Sequence, residues 1–170
     1  MRALVATSLV ITLAATLAGC GKSSTESTSQ GASTTSTEQS APATALTPDQ
    51  MKKLQAALPA PYATADVANG EAKFALCASC HTITPGGPNM TGPNLHGVVG
   101  RKAGAEPGYN YSDAVKSAGF TWDGPHLDKW LTGPAADLPG TKMTFVGIKD
   151  PKDRTDVIAY LMVNSAPKAQ

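Results

Sequence analysis

The apolar positions of this chain fall into two regimes. From Ala3 to Ala18 they run almost without interruption; from Leu46 onward they recur at intervals of three and four residues between capping and turn residues. The second pattern predicts helices. Thr47-Pro48-Asp49-Gln50 has the form of a helix start, with Thr47 as N-cap, Pro48 at the first helical position and Gln50 closing a capping box. Met51, Leu54 and Leu58 then share one stripe, and Pro59 and Pro61 end it. Residues 47–61 are thus a short helix that leans on the C-terminal domain, or a linker to it.

Residues 62–170 make 109 positions, enough for one small domain. No segment alternates strictly enough for a half-buried strand, so an all-α fold is expected. Asp66 caps a helix to Leu76, with Val67, Gly70 and Phe74 on one face. Ser112 caps a second, ending at Gly119. Asp123 caps a third, with Leu127, Trp130 and Leu131 inward and Gly133-Pro134 closing it. Asp150-Pro151 opens a fourth, with Val157, Tyr160 and Leu161 on one side. So small a domain has a limited core.

The first regime has a different meaning. Met1-Arg2 is a short basic start, and the apolar run of about 16 residues falls short of the roughly 20 that cross a bilayer. It ends in Leu17-Ala18-Gly19-Cys20, which resembles a bacterial lipoprotein signal. That resemblance implies removal of residues 1–19 and a lipid on Cys20, with the protein in the cell envelope, anchored to the membrane and facing the periplasm. Gly21 to Ala45 holds 13 Ser and Thr among 25 positions and no aromatic residue. Such a stretch cannot bury enough surface to offset its ordering entropy, so residues 20–46 are read as a flexible tether.

The chemistry is concentrated in Cys77-Ala78-Ser79-Cys80-His81. A C-x-x-C-H run reads as a c-type haem attachment site. Two thiols on one short turn can each add to a vinyl group of the porphyrin, and the following imidazole lies where it can bind iron. Zinc needs two further ligands, and no second cysteine pair exists. A thioredoxin-type pair needs a βαβ setting, which is missing. A plain disulfide gives His81 no role. One covalent haem c, held through Cys77 and Cys80, is the expectation.

Laid in order, the motifs resemble those of the class I cytochromes c of the mitochondrial and bacterial short-chain type. They are Gly70…Phe74 before the haem run, Thr91-Gly92-Pro93-Asn94-Leu95-His96-Gly97, Gly100-Arg101-Lys102, Tyr109-Asn110-Tyr111-Ser112-Asp113-Ala114, Trp122, Pro139-Gly140-Thr141-Lys142-Met143-Thr144-Phe145, and Arg154…Asp156-Val157-Ile158-Ala159-Tyr160-Leu161. The resemblance implies helices wrapped around the haem, the domain's first and last crossing where Gly70 and Phe74 meet Val157 and Tyr160. It implies Met143 as the second iron ligand opposite His81, the rivals being Met51, Met90 and Met162, or His96 and His126. It implies a Pro93 carbonyl that orients His81. Arg101, Tyr111 and Trp122 would meet the buried haem propionate, and Thr141 the second. The chain departs from the family at Val115, where asparagine is common, at Trp130, where tyrosine is common, and at Ala135 and Ala136, where lysines are common.

Charge narrows the partners. The chain has 14 basic and 13 acidic residues, net +1, and residues 62–170 hold ten of each. Family members of mitochondrial type use a ring of lysines to find acidic partners. Here Lys73, Lys102, Lys142 and Lys149 would form a partial ring with a weak field. No basic stretch with interleaved aromatics appears, so nucleic acid is not expected. The resemblance implies a monomeric carrier and no enzyme: a membrane-tethered shuttle from a quinol-oxidising complex or dehydrogenase to a terminal oxidase or reductase of the respiratory chain. The alternative is a ligand-binding or peroxidatic haem protein with a labile Met143. A dedicated donor subunit of one dehydrogenase would have the same sequence.

Overall fold

The computed structural model describes residues 46–165. The signal segment, Cys20 and all of the tether but Leu46 lie outside them. Helix α1 (Pro48–Ala56) starts at the capping box: Gln50 N–H donates to Thr47 Oγ1 at 3.3 Å, and Thr47 N–H to Gln50 Oε1 at 2.8 Å. α1 packs against the C-terminal helix, and Gln55 Nε2 donates to the Ala65 carbonyl at 2.5 Å. A 3-10 turn (Tyr62–Thr64), which no local pattern announced, buries Tyr62.

The centre of the fold is the crossing of α2 (Val67–Ala78) and α6 (Pro151–Ser165). α6 is buried continuously from Asp156 to Val163, which makes it the core helix. Each large apolar side chain there contributes about 1.5–3 kcal/mol of transfer free energy. The crossing is close because Gly70 has no side chain: a Cβ there would lie 2.9 Å from Tyr160 Cβ and would overlap the Asp156 carbonyl. One turn on, the Phe74 and Tyr160 rings meet at 5.3 Å. Asp156, 1% exposed, closes the same junction. It accepts from Asp66 N–H at 2.9 Å, from Asn69 Nδ2 at 2.7 Å and from Lys152 Nζ at 2.7 Å. A buried carboxylate so fully bonded holds its place in the fold.

α3 (Asp113–Lys116) is capped by Ser112 but is only four residues long. The apolar pattern predicts a helix to Gly119. Gly119 instead takes φ +75° and the chain turns back, so that Ala103 N–H reaches the Phe120 carbonyl at 2.9 Å. Beside this bond Lys102 and Thr121 form an isolated antiparallel bridge, and Trp122 N–H donates to the Arg101 carbonyl. Pairing with a distant segment overrides the helical pattern. α4 (Gly124–Thr132) starts at Asp123 and ends at Gly133. A further short helix, α5 (Pro134–Asp137), comes at once, where Gly133-Pro134 announces only a stop. Arg154 ties α6 to α4 through Asp128 Oδ1 at 2.8 Å.

Candidate functional site

The last turn of α2 delivers Cys77, and the chain then tightens. The N–H groups of Cys80 and His81 both donate to the Cys77 carbonyl, at 3.0 and 2.9 Å. Both thiols and the imidazole line a cleft of about 370 Å³ whose other walls are mostly apolar: Phe74 from α2, Leu127, Trp130 and Leu131 from α4, Val157 and Leu161 from α6. Cys77 and Cys80 are not joined in a disulfide. Before any haem is attached, burial, with Cys80 beside it, pushes the Cys77 thiol up to about 11.

His81 is fixed from two sides. Its Nδ1 lies 2.8 Å from the Pro93 carbonyl. A carbonyl only accepts, so the proton sits on Nδ1 and the Nε2 lone pair is left for a metal. Gly92 packs flat on the ring: a Cβ there would come within 2.6 Å of Nδ1. Burial lowers the His81 pKa, against the opposing effect of the Pro93 bond, which favours the neutral imidazole. The loop carrying Pro93 is pinned by Asn94, 4% exposed, whose Nδ2 donates to Thr82 Oγ1 at 2.6 Å and to the Thr84 carbonyl at 3.0 Å, and whose Oδ1 accepts from His96 N–H at 2.8 Å. Asn89 crosslinks that loop to the next: Oδ1 accepts from Asn94 N–H, and Nδ2 donates to the Pro107 carbonyl.

Across the chain, the Pro139–Phe145 segment brings Met143 to the same cleft, its N–H bonded to Thr141 Oγ1 at 3.2 Å. Met143 and His81 are the one methionine and the one histidine among the residues lining it. Met51, Met90 and Met162 stand elsewhere; Met90 is 47% exposed and Met162 is buried in α6. His126 stacks on Phe120 at 4.4 Å, outside the cleft, and Nδ1 of His96 is buried without a partner, also outside it. Among the described residues, no cluster of three His, Cys, Asp or Glu could hold a metal. The donor set is therefore two thiols, one imidazole and one thioether around an apolar space, which fits a covalently attached haem.

Comparison with known proteins agrees. The family model described as cytochrome c matches residues 67–165. The chain belongs to the cytochrome c family. It is 53% identical over 100 residues to the cytochrome c2 of Rhodomicrobium vannielii, spanning 59% of this chain and 80% of the relative. With the cytochrome c2 of Agrobacterium tumefaciens it shares 43% over 106 residues, 61% of this chain and 96% of the relative. The solved structure of cytochrome cH from Methylobacterium extorquens superposes with a TM-score of 0.54 at 52% identity, covering 56% of this chain and 96% of that one. This cytochrome c has the all-α fold of its family, with the domain's first and last helices in contact. It binds haem c through Cys77 and Cys80 and is an electron carrier, not an enzyme.

The remaining expected residues of this cytochrome c reach the same cleft. Arg101, Tyr111, Trp122 and Thr141 all line it, and Trp122 is 7% exposed. Burial lowers the Arg101 pKa and raises that of Tyr111, the two also acting on each other. Arg101 stays a cation, as an arginine does at any ordinary pH. Its Nη2 donates to the Asn94 carbonyl at 2.8 Å, and its Nη1 is paired with Glu106. Sequence reasoning missed Glu106, Asn94 and Asn89. Asn94 stands inside one of the family motifs, but nothing in the spacing announces a hub; Glu106 lies in a loop with no pattern. Trp130, the departure from tyrosine, packs edge-on against Trp122 at 5.4 Å.

Proposed function

We propose that this cytochrome c is a membrane-tethered one-electron carrier whose single haem c is ligated by His81 and Met143. It would carry electrons from a quinol-oxidising complex or dehydrogenase to a terminal oxidase or reductase. The observation that carries this reading is the gathering of His81 and Met143 with both cysteines at one apolar cleft. The bound haem supplies a one-electron iron couple; the chain does the rest. The buried setting favours neutral His81, and the Pro93 carbonyl fixes the orientation of its ring. The Met143 thioether is a soft donor that favours the reduced metal and raises the potential. Held by His81 and Met143 together, a haem would serve electron transfer and offer no site for a substrate. Arg101, Tyr111 and Trp122 would be the donors for one propionate, and Thr141 for the other. The apolar walls from α4 and α6 exclude water and keep reorganisation small.

The tether is read from the sequence. A diacylated Cys20 would hold the carrier at the periplasmic face of a bacterial membrane, as a monomer, and the Ser/Thr-rich stretch would let it reach its redox partners. Confinement raises the effective concentration and takes over the work of long-range attraction. Intact mass and an optical spectrum of the membrane-extracted protein test both parts. One haem plus a lipid, with a methionine–iron charge-transfer band that disappears in Met143→Ala, is the expected result. A wild-type spectrum in Met143→Ala would overturn the ligand assignment; an unmodified Cys20 would overturn the anchor.

A further inference from the structure

Helix α1 lies ahead of residues 67–165, the stretch that the cytochrome c family model matches, so the family's haem domain does not account for it. It is nonetheless built as part of the fold. Leu46 stands before the Thr47 cap and Met51 at the fourth helical position, the placing of a hydrophobic staple. Met51, Leu54, Gln55 and Leu58 are half-buried, while Asp49, Lys52, Lys53 and Ala56 are exposed. Those four half-buried positions share one face at helical spacing. Gln55 is fixed by its bond to the Ala65 carbonyl, and Leu58 packs on the hydrophobic core.

Nine helical residues are too few to hold a helix alone in water. α1 therefore depends on what it packs against, which among the described residues is α6 and the Tyr62–Thr64 turn and no other helix. No residue from 46 to 66 lines the cleft, so α1 joins the domain outside it. Its docking decides how long the tether is. With α1 seated, the free stretch runs from Cys20 to Leu46, 27 residues, with an r.m.s. span of about 29 Å. With α1 loose it would run on to Pro61, 42 residues and about 36 Å.

We propose that α1 is the dock of the membrane tether: seated on α6, it sets the tether's length and roots it outside the cleft, which stays clear for membrane-bound redox partners. This rests on the tether reading above. A helix that only added stability would leave the domain's reach unchanged when it came loose. A dock returns residues 47–61 to the tether, and the reach grows.

The test uses the full, haem-loaded chain in membranes of the organism that makes it, and reads reoxidation of the reduced haem by those membranes. Removing residues 23–42 leaves seven tether residues and a span of about 15 Å. The rate is expected to fall at least about fivefold, because a short tether cannot span the distance to its partner. Adding Met51→Ser/Leu54→Ser to the shortened chain undocks α1 and restores 22 tether residues, about 26 Å. The rate should return to within about twofold of wild type. Ala56→Pro, which breaks the helix from its exposed side and removes no apolar contact, should rescue equally. Trypsin should cut at Lys52 and Lys53 at least about tenfold more slowly in the wild type than in either variant. The optical spectrum should be the same in every form. A shortened chain that keeps its rate, an undocked one that fails to recover it, equal cleavage throughout, or a spectrum changed by Ala56→Pro each overturns the dock and leaves the tether standing. A wild-type protein that buffer washes off the membranes overturns the tether reading, and the dock with it.

Discussion

Gly70 on α2 lies directly against the backbone carbonyl of Asp156 on α6, with no room for even a methyl group between them. Alanine is the better helix former by about 1 kcal/mol, so propensity alone predicts that Gly70→Ala stabilises. Packing reverses the sign. The added Cβ would meet the Asp156 carbonyl carbon at 2.6 Å, and both partners belong to helix backbones that cannot yield separately. Gly70→Ala is expected to cost about 1–3 kcal/mol, read as a lower guanidinium midpoint with an unchanged slope. Unchanged or increased stability would show that the helices can part freely.

The carboxylate of the same Asp156 makes stability depend on pH. Burial opposes its charge, but the bonds from Lys152, Asn69 and the Asp66 N–H outweigh that cost, and its pKa lies below the ordinary carboxylate value. A group with a depressed folded pKa stabilises above its unfolded pKa of about 3.9, and loses that contribution as pH falls through the folded value. Asp156→Asn is expected to cost about 1–3 kcal/mol at pH 7 and less in strong acid. Thermal unfolding between pH 7 and pH 2 checks this; parallel curves for variant and wild type would contradict it.

Asn94 holds the loop that orients His81, with three bonds made from an almost fully buried side chain. Asn94→Ala leaves Thr82 Oγ1, the Thr84 carbonyl and the His96 N–H short of a partner, at about 1–3 kcal/mol. Its effect should exceed that of Asn89→Ala, whose bonds to Pro107 and Asn94 are less enclosed. Urea unfolding followed by haem absorbance ranks the two.

Glu106 and Arg101 form an ion pair whose side chains are each 16% exposed. Glu106→Gln removes a negative charge beside the cleft and leaves Arg101 held by the Asn94 carbonyl. The oxidised protein carries one more positive charge than the reduced form, so losing a nearby carboxylate disfavours it. The midpoint potential is expected to rise, on the order of tens of millivolts for a half-buried charge at an effective dielectric of about 20. A potentiometric titration showing no rise, or a fall, would remove Glu106 from the electrostatics of the site.

Much of this was legible before any coordinates. Thr47, Asp66, Ser112 and Asp123 each cap the helix they announce, since a cap is a bond between a side chain and a backbone group three residues on. The length of α3 was not legible, because Gly119 and Phe120 answer to Ala103, a partner distant in sequence. Of the partial lysine ring that the resemblance implies, Lys73 is paired with Asp153, while Lys142 and Lys149 donate to backbone carbonyls, which no count of charges reveals.

The sequence by itself determined the covalent chemistry, for two cysteines and a histidine within five positions share one turn whatever surrounds them. It also determined where the capped helices begin, since a cap depends on neighbours along the chain, but not that α6 is buried on every side from Asp156 to Val163. Only the tertiary structure decided which methionine enters the cleft and that Glu106 stands against Arg101. Those relations join residues far apart in the chain, and they exist only once α2 and α6 have crossed and the loops have closed around them.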